Sequence, residues 1–224
     1  MKRSVIVAGG TGGLGGAVTA ELLAGGWRVV VPGRSEESLA ALGTDAALAP
    51  VLADLSDPAG AADVIALATS EESAPLHALV NLVGGFASGQ RVHETPVEDF
   101  ERQFAINLRP LYLMTRAAVP HLIANGGGSI VCTSSQSALK PFSGAAGYIT
   151  AKAGVIAFAD ALATEYAGDH IRVNTILPGT IDTPANRAAR PGADTTNWTP
   201  PSRIAIAIRF LIDSDAITGA HIPV

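Results

Sequence analysis

The chain has 224 residues, 48% of them hydrophobic and 16% charged, with 15 Lys and Arg against 20 Asp and Glu for a net charge of −5. That is enough apolar chain to bury one sizeable core and too little for two generous domains, so a single domain over residues 1–224 is expected. The acidic balance and scattered cations exclude the basic footprint of a nucleic-acid binder, and a single cysteine, Cys132, excludes an internal disulfide or a cysteine-based zinc site.

In chain order, short runs rich in Val and Ile predict strands at 4–8, 28–32, 48–53, 78–82, 129–133, 172–177 and 220–224. Between them, longer segments predict helices at 13–24, 35–42, 58–69, 96–124, 145–167 and 201–212. Alternation of this kind implies a parallel sheet covered on both faces. With right-handed crossovers, that means a doubly wound α/β fold of seven strands, whose ligands sit at the carboxyl ends of the strands. Met1-Lys2-Arg3 and the apolar run after it end too soon, at Gly9, to form a secretion signal. No uninterrupted apolar stretch of about twenty residues suggests a membrane span, and a cytoplasmic location is expected. Pro110 and Pro120 predict a bend or break in the helix at 96–124. Residues 185–200 lose the periodic pattern and read as a lid over a substrate.

After the first strand, Gly9, Gly13 and Gly15 stand in a G-x-x-x-G-x-G spacing, with Thr11, Gly12 and Leu14 in the same loop, and then open a helix. Glycines allow the backbone to approach a pyrophosphate, while the helix N-terminus supplies unpaired N–H groups, so a dinucleotide is expected. The second strand ends in Gly33-Arg34 where an acid would hold the ribose 2′-hydroxyl of NAD. A guanidinium there suits a 2′-phosphate, which favours NADP(H), with NAD(H) as the alternative. Asp54 and Leu55 end the third strand in position to meet the adenine. Asp57 suits either a ligand contact or a helix cap.

Tyr148 and Lys152 lie four residues apart, on one face of a helix, where an ammonium can stabilise a phenolate. The histidines show no ligand spacing, so no metal is expected.

Taken together, Gly9, Gly13 and Gly15, Asn81-Leu82-Val83-Gly84, Asn107, Ser135, Tyr148, Lys152, and Pro178-Gly179 with Ile181 and Thr183 resemble the short-chain dehydrogenase/reductase family in order and spread. The resemblance implies hydride transfer between a nicotinamide and a carbonyl or alcohol substrate. Tyr148 would act as general acid/base, Lys152 would lower its pKa and hold the nicotinamide ribose, and Ser135 would hydrogen-bond the substrate oxygen. Asn107 would hold a relay water, and Ile181 and Thr183 would clamp the carboxamide, although Thr183 also suits a helix cap. The family's spacing selects Ser135 over Ser134 and Ser137. The usual second Asn and the Ala of the family's Asn-Asn-Ala-Gly are here Leu82 and Val83, so contact there is expected through the backbone. Gly84-Gly85-Phe86-Ala87, the 182–187 segment and Trp198-Thr199-Pro200 resemble the dihydropteridine-reductase branch. That branch lacks the serine, so pteridine specificity does not follow.

The resemblance also implies a homodimer or homotetramer through the helical stretches at 111–122 and 155–163. A non-catalytic dinucleotide-binding regulator is the competing reading, disfavoured by a complete proton path. A sugar-nucleotide epimerase would want a substantial C-terminal substrate domain and is not expected from the short stretch after Pro178-Gly179.

Overall fold

The computed structural model describes residues 3–224. Seven parallel strands form one sheet: β1 (Ser4–Ala8), β2 (Arg28–Gly33), β3 (Leu48–Leu52), β4 (Leu76–Asn81), β5 (Gly128–Thr133), β6 (Ile171–Leu177) and β7 (His221–Pro223). Their order across the sheet is β3-β2-β1-β4-β5-β6-β7, the doubly wound arrangement expected from the alternation. Successive strand residues point to opposite faces, and the core splits accordingly. Ile6, Ala8, Val30, Leu79, Ile130 and Cys132 join one cluster. Val5, Val7, Val29, Val31, Val80 and Val131, their immediate neighbours, join the other. Because both faces are buried, the strands read as continuous apolar runs rather than as alternating ones. Each fully buried aliphatic side chain contributes roughly 2 kcal/mol of transfer free energy.

Helices α1 (Gly13–Ala24), α2 (Glu36–Ala40), α3 (Pro58–Ala68), α4 (Val97–Asn107), α5 (Arg109–Ala124), α6 (Ala146–Glu165), α7 (Pro184–Ala189) and α8 (Pro201–Asp213) complete the fold. The first cluster takes its helical side from α3, α5 and α6, and the second from α1 and α8. Arg209 of α8 reaches Glu21 of α1 at 2.7 Å.

The segment expected as one bent helix at 96–124 is two helices meeting at Leu108. Pro110 has no N–H to return to Ile106, and its ring disfavours helical geometry in the residue before it, so the break falls just ahead of it. Pro120, by contrast, stays inside α5 without ending it. Pro120 and Arg116 are both exposed, so the carbonyl that loses its donor can be hydrated, while buried Ala118, Val119 and Leu122 hold the helix to the core. The irregular 185–200 stretch begins inside α7 and is tied down by a bridge between Ile181 and Thr199.

Among the described residues, α6 is the one helix long and apolar enough to cross a membrane, which the sequence scan did not anticipate. Its Ala151, Lys152, Val155, Ile156, Ala159 and Leu162 are buried within the fold.

β1 lies between β2 and β4, and the chain leaves it in opposite directions on its two sides. This switch point opens a crevice at the carboxyl ends of β1 and β4.

Candidate active site

The crevice is walled on one side by backbone. Gly9 adopts φ +88°, a left-handed conformation suited to glycine, and turns the chain out of β1. A Cβ on Gly15 would lie 2.0 Å from the Gly9 carbonyl oxygen, so α1 can approach the turn only because Gly15 has no side chain. Gly12 caps α1 without a side-chain bond, and no acid occupies the first turn. The first amides of α1 therefore remain available to an anion, and the helix dipole favours one. Gly9, Thr11, Gly12, Arg34, Asp54, Leu55, Leu82, Val83 and Gly84 all line this groove, of about 590 Å3.

Arg34 stands exposed at the end of β2. The Asp54 carboxylate accepts from the Ser56 amide at 2.9 Å and the Ser56 hydroxyl at 2.8 Å. These bonds hold it below the usual carboxylate range, with a smaller push from Arg34. Asp57 takes the capping alternative: its Oδ1 accepts from the Ala59 amide at 2.9 Å, at the start of α3.

A second cleft of about 540 Å3 shares Leu82, Gly84 and Gly85 with the groove, and Leu14, Ser135, Tyr148, Lys152, Pro178, Gly179 and Ile181 line it. Ser134, Ser135 and Ser137 follow β5 and divide the work. The Ser134 hydroxyl is buried and donates to the Lys152 carbonyl at 2.7 Å, fastening α6 to the end of the strand. The Ser135 hydroxyl accepts from the Ser137 amide at 3.2 Å and the Ser137 hydroxyl at 2.9 Å. Tyr148 enters the cleft from the first turn of α6, its ring edge-on to Phe86 at 4.9 Å.

Burial pushes the Tyr148 phenol above its ordinary pKa, and bonds from the Ser135 and Ser137 hydroxyls oppose the shift. The sequence led us to expect the reverse, a phenol depressed by Lys152. The Lys152 ammonium instead donates to the Thr133 carbonyl at 3.1 Å. It is 5% exposed, and burial lowers its own pKa to about 8, so it stays mostly charged at neutral pH and loses its proton only as pH rises past 8. Burial pushes the neighbouring Cys132 thiol up to about 12, so it stays neutral.

Asn107 is the last residue of α4. Its Nδ2 donates to the Gly85 carbonyl at 3.1 Å and the Gln103 carbonyl at 2.9 Å, while its Oδ1 accepts from the Gly85 amide at 3.2 Å. Both donors and one acceptor site are thus spent on backbone. A Cβ on Gly84 would meet the Asn107 Oδ1 at 2.6 Å and the Lys152 Nζ at 2.8 Å, which locates both polar groups directly beneath this turn.

Asn81 is buried at the end of β4, with neither side-chain polar atom bonded to protein. Thr183 is also buried and caps α7, its hydroxyl accepting from the Asn186 amide at 3.2 Å. A Cβ on Gly13 would lie 2.9 Å from the Thr183 methyl, so the loop after β6 closes directly onto the glycine turn. Of the residues singled out in the sequence, Gly13, Gly15, Asn81, Asn107 and Thr183 stand outside the lining of both spaces. The sequence scan missed Ser137, whose signal was only its position two residues after Ser135, and the cleft residues Phe142 and Lys140.

The chain belongs to the short chain dehydrogenase family, whose model matches residues 3–194, and is therefore placed among oxidoreductases. It is 37% identical over 191 residues to a 2-(R)-hydroxypropyl-CoM dehydrogenase of Xanthobacter autotrophicus, covering 82% of this chain and 76% of that protein. Among solved structures it is similar to ElxO with NADP bound, with a TM-score of 0.92 and 25% identity over 100% of this chain and 97% of that one. It is also similar to a 3-ketoacyl-(acyl-carrier-protein) reductase from Brucella melitensis complexed with NADH. There the TM-score is 0.89, with 28% identity over 99% of this chain and 96% of that one.

Proposed function

We propose that the protein is an NADP(H)-dependent oxidoreductase acting between a carbonyl and the corresponding alcohol, with Tyr148 as general acid/base. The observation that carries this reading is the convergence of Ser135, Tyr148 and Lys152 on a cleft continuous with a glycine-walled groove. The groove fits a dinucleotide: the α1 amides are uncapped, side chains are excluded at Gly9, Gly13 and Gly15, and solved relatives carry NADP or NADH. When bound, the dinucleotide supplies or accepts the hydride. Arg34 would take the 2′-phosphate, Asp54 and Leu55 the adenine side, the backbone of residues 81–84 the middle, and Lys152 the nicotinamide ribose. Pro178, Gly179, Ile181 and Thr183 would hold the carboxamide.

In reduction, Ser135 donates to the substrate oxygen as negative charge develops there, and Tyr148 delivers the proton. The raised phenol pKa suits that direction, since the proton is in place at neutral pH. Lys152 lies on the route by which the phenol regains its proton, and Asn107 acts as a positioning residue by holding the Gly84-Gly85 turn above the ammonium. Ser137 orients the Ser135 hydroxyl. The loop from α7 to Thr199 closes over the substrate. Copies of the chain pair through α5 and α6, where Tyr112 is 51% exposed and meets Phe158 at 6.3 Å. Light scattering should therefore report an oligomer, and Tyr112→Glu should weaken it.

Calorimetric titration of NADPH and NADH onto wild type and Arg34→Ala tests the cofactor assignment. NADPH preference that collapses in the variant supports it, and equal affinities in the wild type would overturn it.

A further inference from the structure

The cleft beside Tyr148 has a charge pattern opposite to that of the whole chain. Its walls carry Lys140, Lys152 and Arg190, and no Asp or Glu among the described residues, although the chain has 20 acidic and 15 basic residues. Lys152 is buried and committed to Thr133. Lys140 and Arg190 are exposed, and neither has a carboxylate within ion-pair distance among the described residues. The contrast within one loop is direct. Arg187 is held by Asp182 through two bonds of 2.5 and 2.8 Å, whereas the Arg190 guanidinium, among the described residues, donates only to the Thr180 hydroxyl, at 3.5 Å. Lys140 and Arg190 reach the cleft from two different segments, one after β5 and one after α7, and neither lines the groove that holds Arg34. They are therefore separated from the 2′-phosphate position. Phe86 and Phe142, about half exposed and 6.4 Å apart, give the same cleft an apolar wall.

We infer that the substrate is a small keto or hydroxy compound with a short apolar body and an anionic terminus, a carboxylate or a sulfonate. Its carbonyl meets Ser135 and Tyr148, its body lies on Phe86 and Phe142, and its anion is held between Lys140 and Arg190. This inference rests on the oxidoreductase reading. It adds that the cations select the substrate, through attraction at the cleft mouth and rejection of neutral analogues that leave them unpaired.

The test separates the two readings by measuring binding rather than turnover. Levulinate, its methyl ester and the matching keto-sulfonate are titrated by calorimetry onto Tyr148→Phe, with and without NADPH, and onto the same protein carrying Lys140→Ala and Arg190→Ala. The expected result is about tenfold tighter binding of the anions than of the ester. That preference falls as salt is raised and disappears in the triple variant, while NADPH affinity is unchanged. Whichever anion binds more tightly names the head group. Equal binding of acid and ester, or a preference that survives loss of both cations, overturns the inference. So does a parallel loss of NADPH affinity, which would give the cations to the dinucleotide. If the protein binds no NADPH at all, the oxidoreductase reading falls, while the acid and ester titrations without cofactor still decide the anion site.

Discussion

The two walls of the crevice are made of different material. On the side of β1 and β4, the surface is backbone: a left-handed Gly9, a Gly15 pressed against it, and uncapped amides at the head of α1. Beyond β5, it is side chains: a half-buried phenol, two serine hydroxyls and a buried ammonium. A backbone wall is intolerant of added atoms and indifferent to pH. A side-chain wall tolerates isosteric change in its fold but depends on protonation state and on each hydroxyl.

Substitutions can break or sharpen that contrast. The largest effect is expected from Gly15→Ala, whose new methyl would meet the Gly9 carbonyl oxygen at 2.0 Å and Gly10 backbone carbons at 2.6 Å. Backbone on both sides cannot yield cheaply, so urea unfolding should show a loss of about 3 kcal/mol or more, or no folded protein. A loss below half of that would mean the turn is looser than described.

On the other wall, Tyr148→Phe should keep its unfolding midpoint and lose about 10²–10⁴ in kcat for ketone reduction. A variant as active as wild type would remove the phenol from the chemistry. In the wild type, alcohol oxidation should rise from pH 7 towards pH 10, because the raised phenol must lose its proton before it can act as base.

Lys152 supplies an effect of opposite sign. Its folded pKa of about 8 lies below the ordinary 10.5, so the unfolded chain binds the proton more tightly. The cost of burying the charge is present in full below pH 8 and is relieved as pH rises from about 8 to 10.5. Lys152→Met should therefore abolish activity yet gain about 1–2 kcal/mol at pH 7, after allowing for the orphaned Thr133 carbonyl. The gain should vanish above pH 10, and a variant destabilised at pH 7 would contradict the balance of terms.

Ser137→Ala should cost about fivefold in kcat, one neutral hydrogen bond to Ser135. The smallest effect belongs to Gly16→Ala, one residue from the intolerant Gly15, where a Cβ meets nothing within 4 Å. There the helix should gain up to about 1 kcal/mol.

The backbone wall was the more legible in sequence, because a close approach can be made only by glycine and its spacing records the geometry. The strands were legible for a similar reason, since a sheet buried on both faces leaves uninterrupted Val and Ile. The Tyr148 and Lys152 pair was legible as a helical spacing, but the direction of the phenol shift was not, because burial and the Thr133 carbonyl arise only once β5 and α6 pack. The same holds for Asn107, whose amide is spent on a turn far away in sequence. Pro110 and Pro120 look alike in sequence and differ in structure because one lies at the helix junction and the other has an exposed carbonyl one turn back.

The contact between Gly13 and the Thr183 methyl also bears on how the protein is made. A ribosome synthesises the glycine turn early, yet the turn gains its far wall only when a residue some 170 positions later has emerged and β6 has paired with β5. The first elements can pair and pack before then and already line the groove at Arg34 and Asp54, but the cleft beside Tyr148 still lacks Pro178, Gly179 and Ile181. A stalled chain ending before Thr183 would carry the glycine turn and its groove without the loop that closes on Gly13.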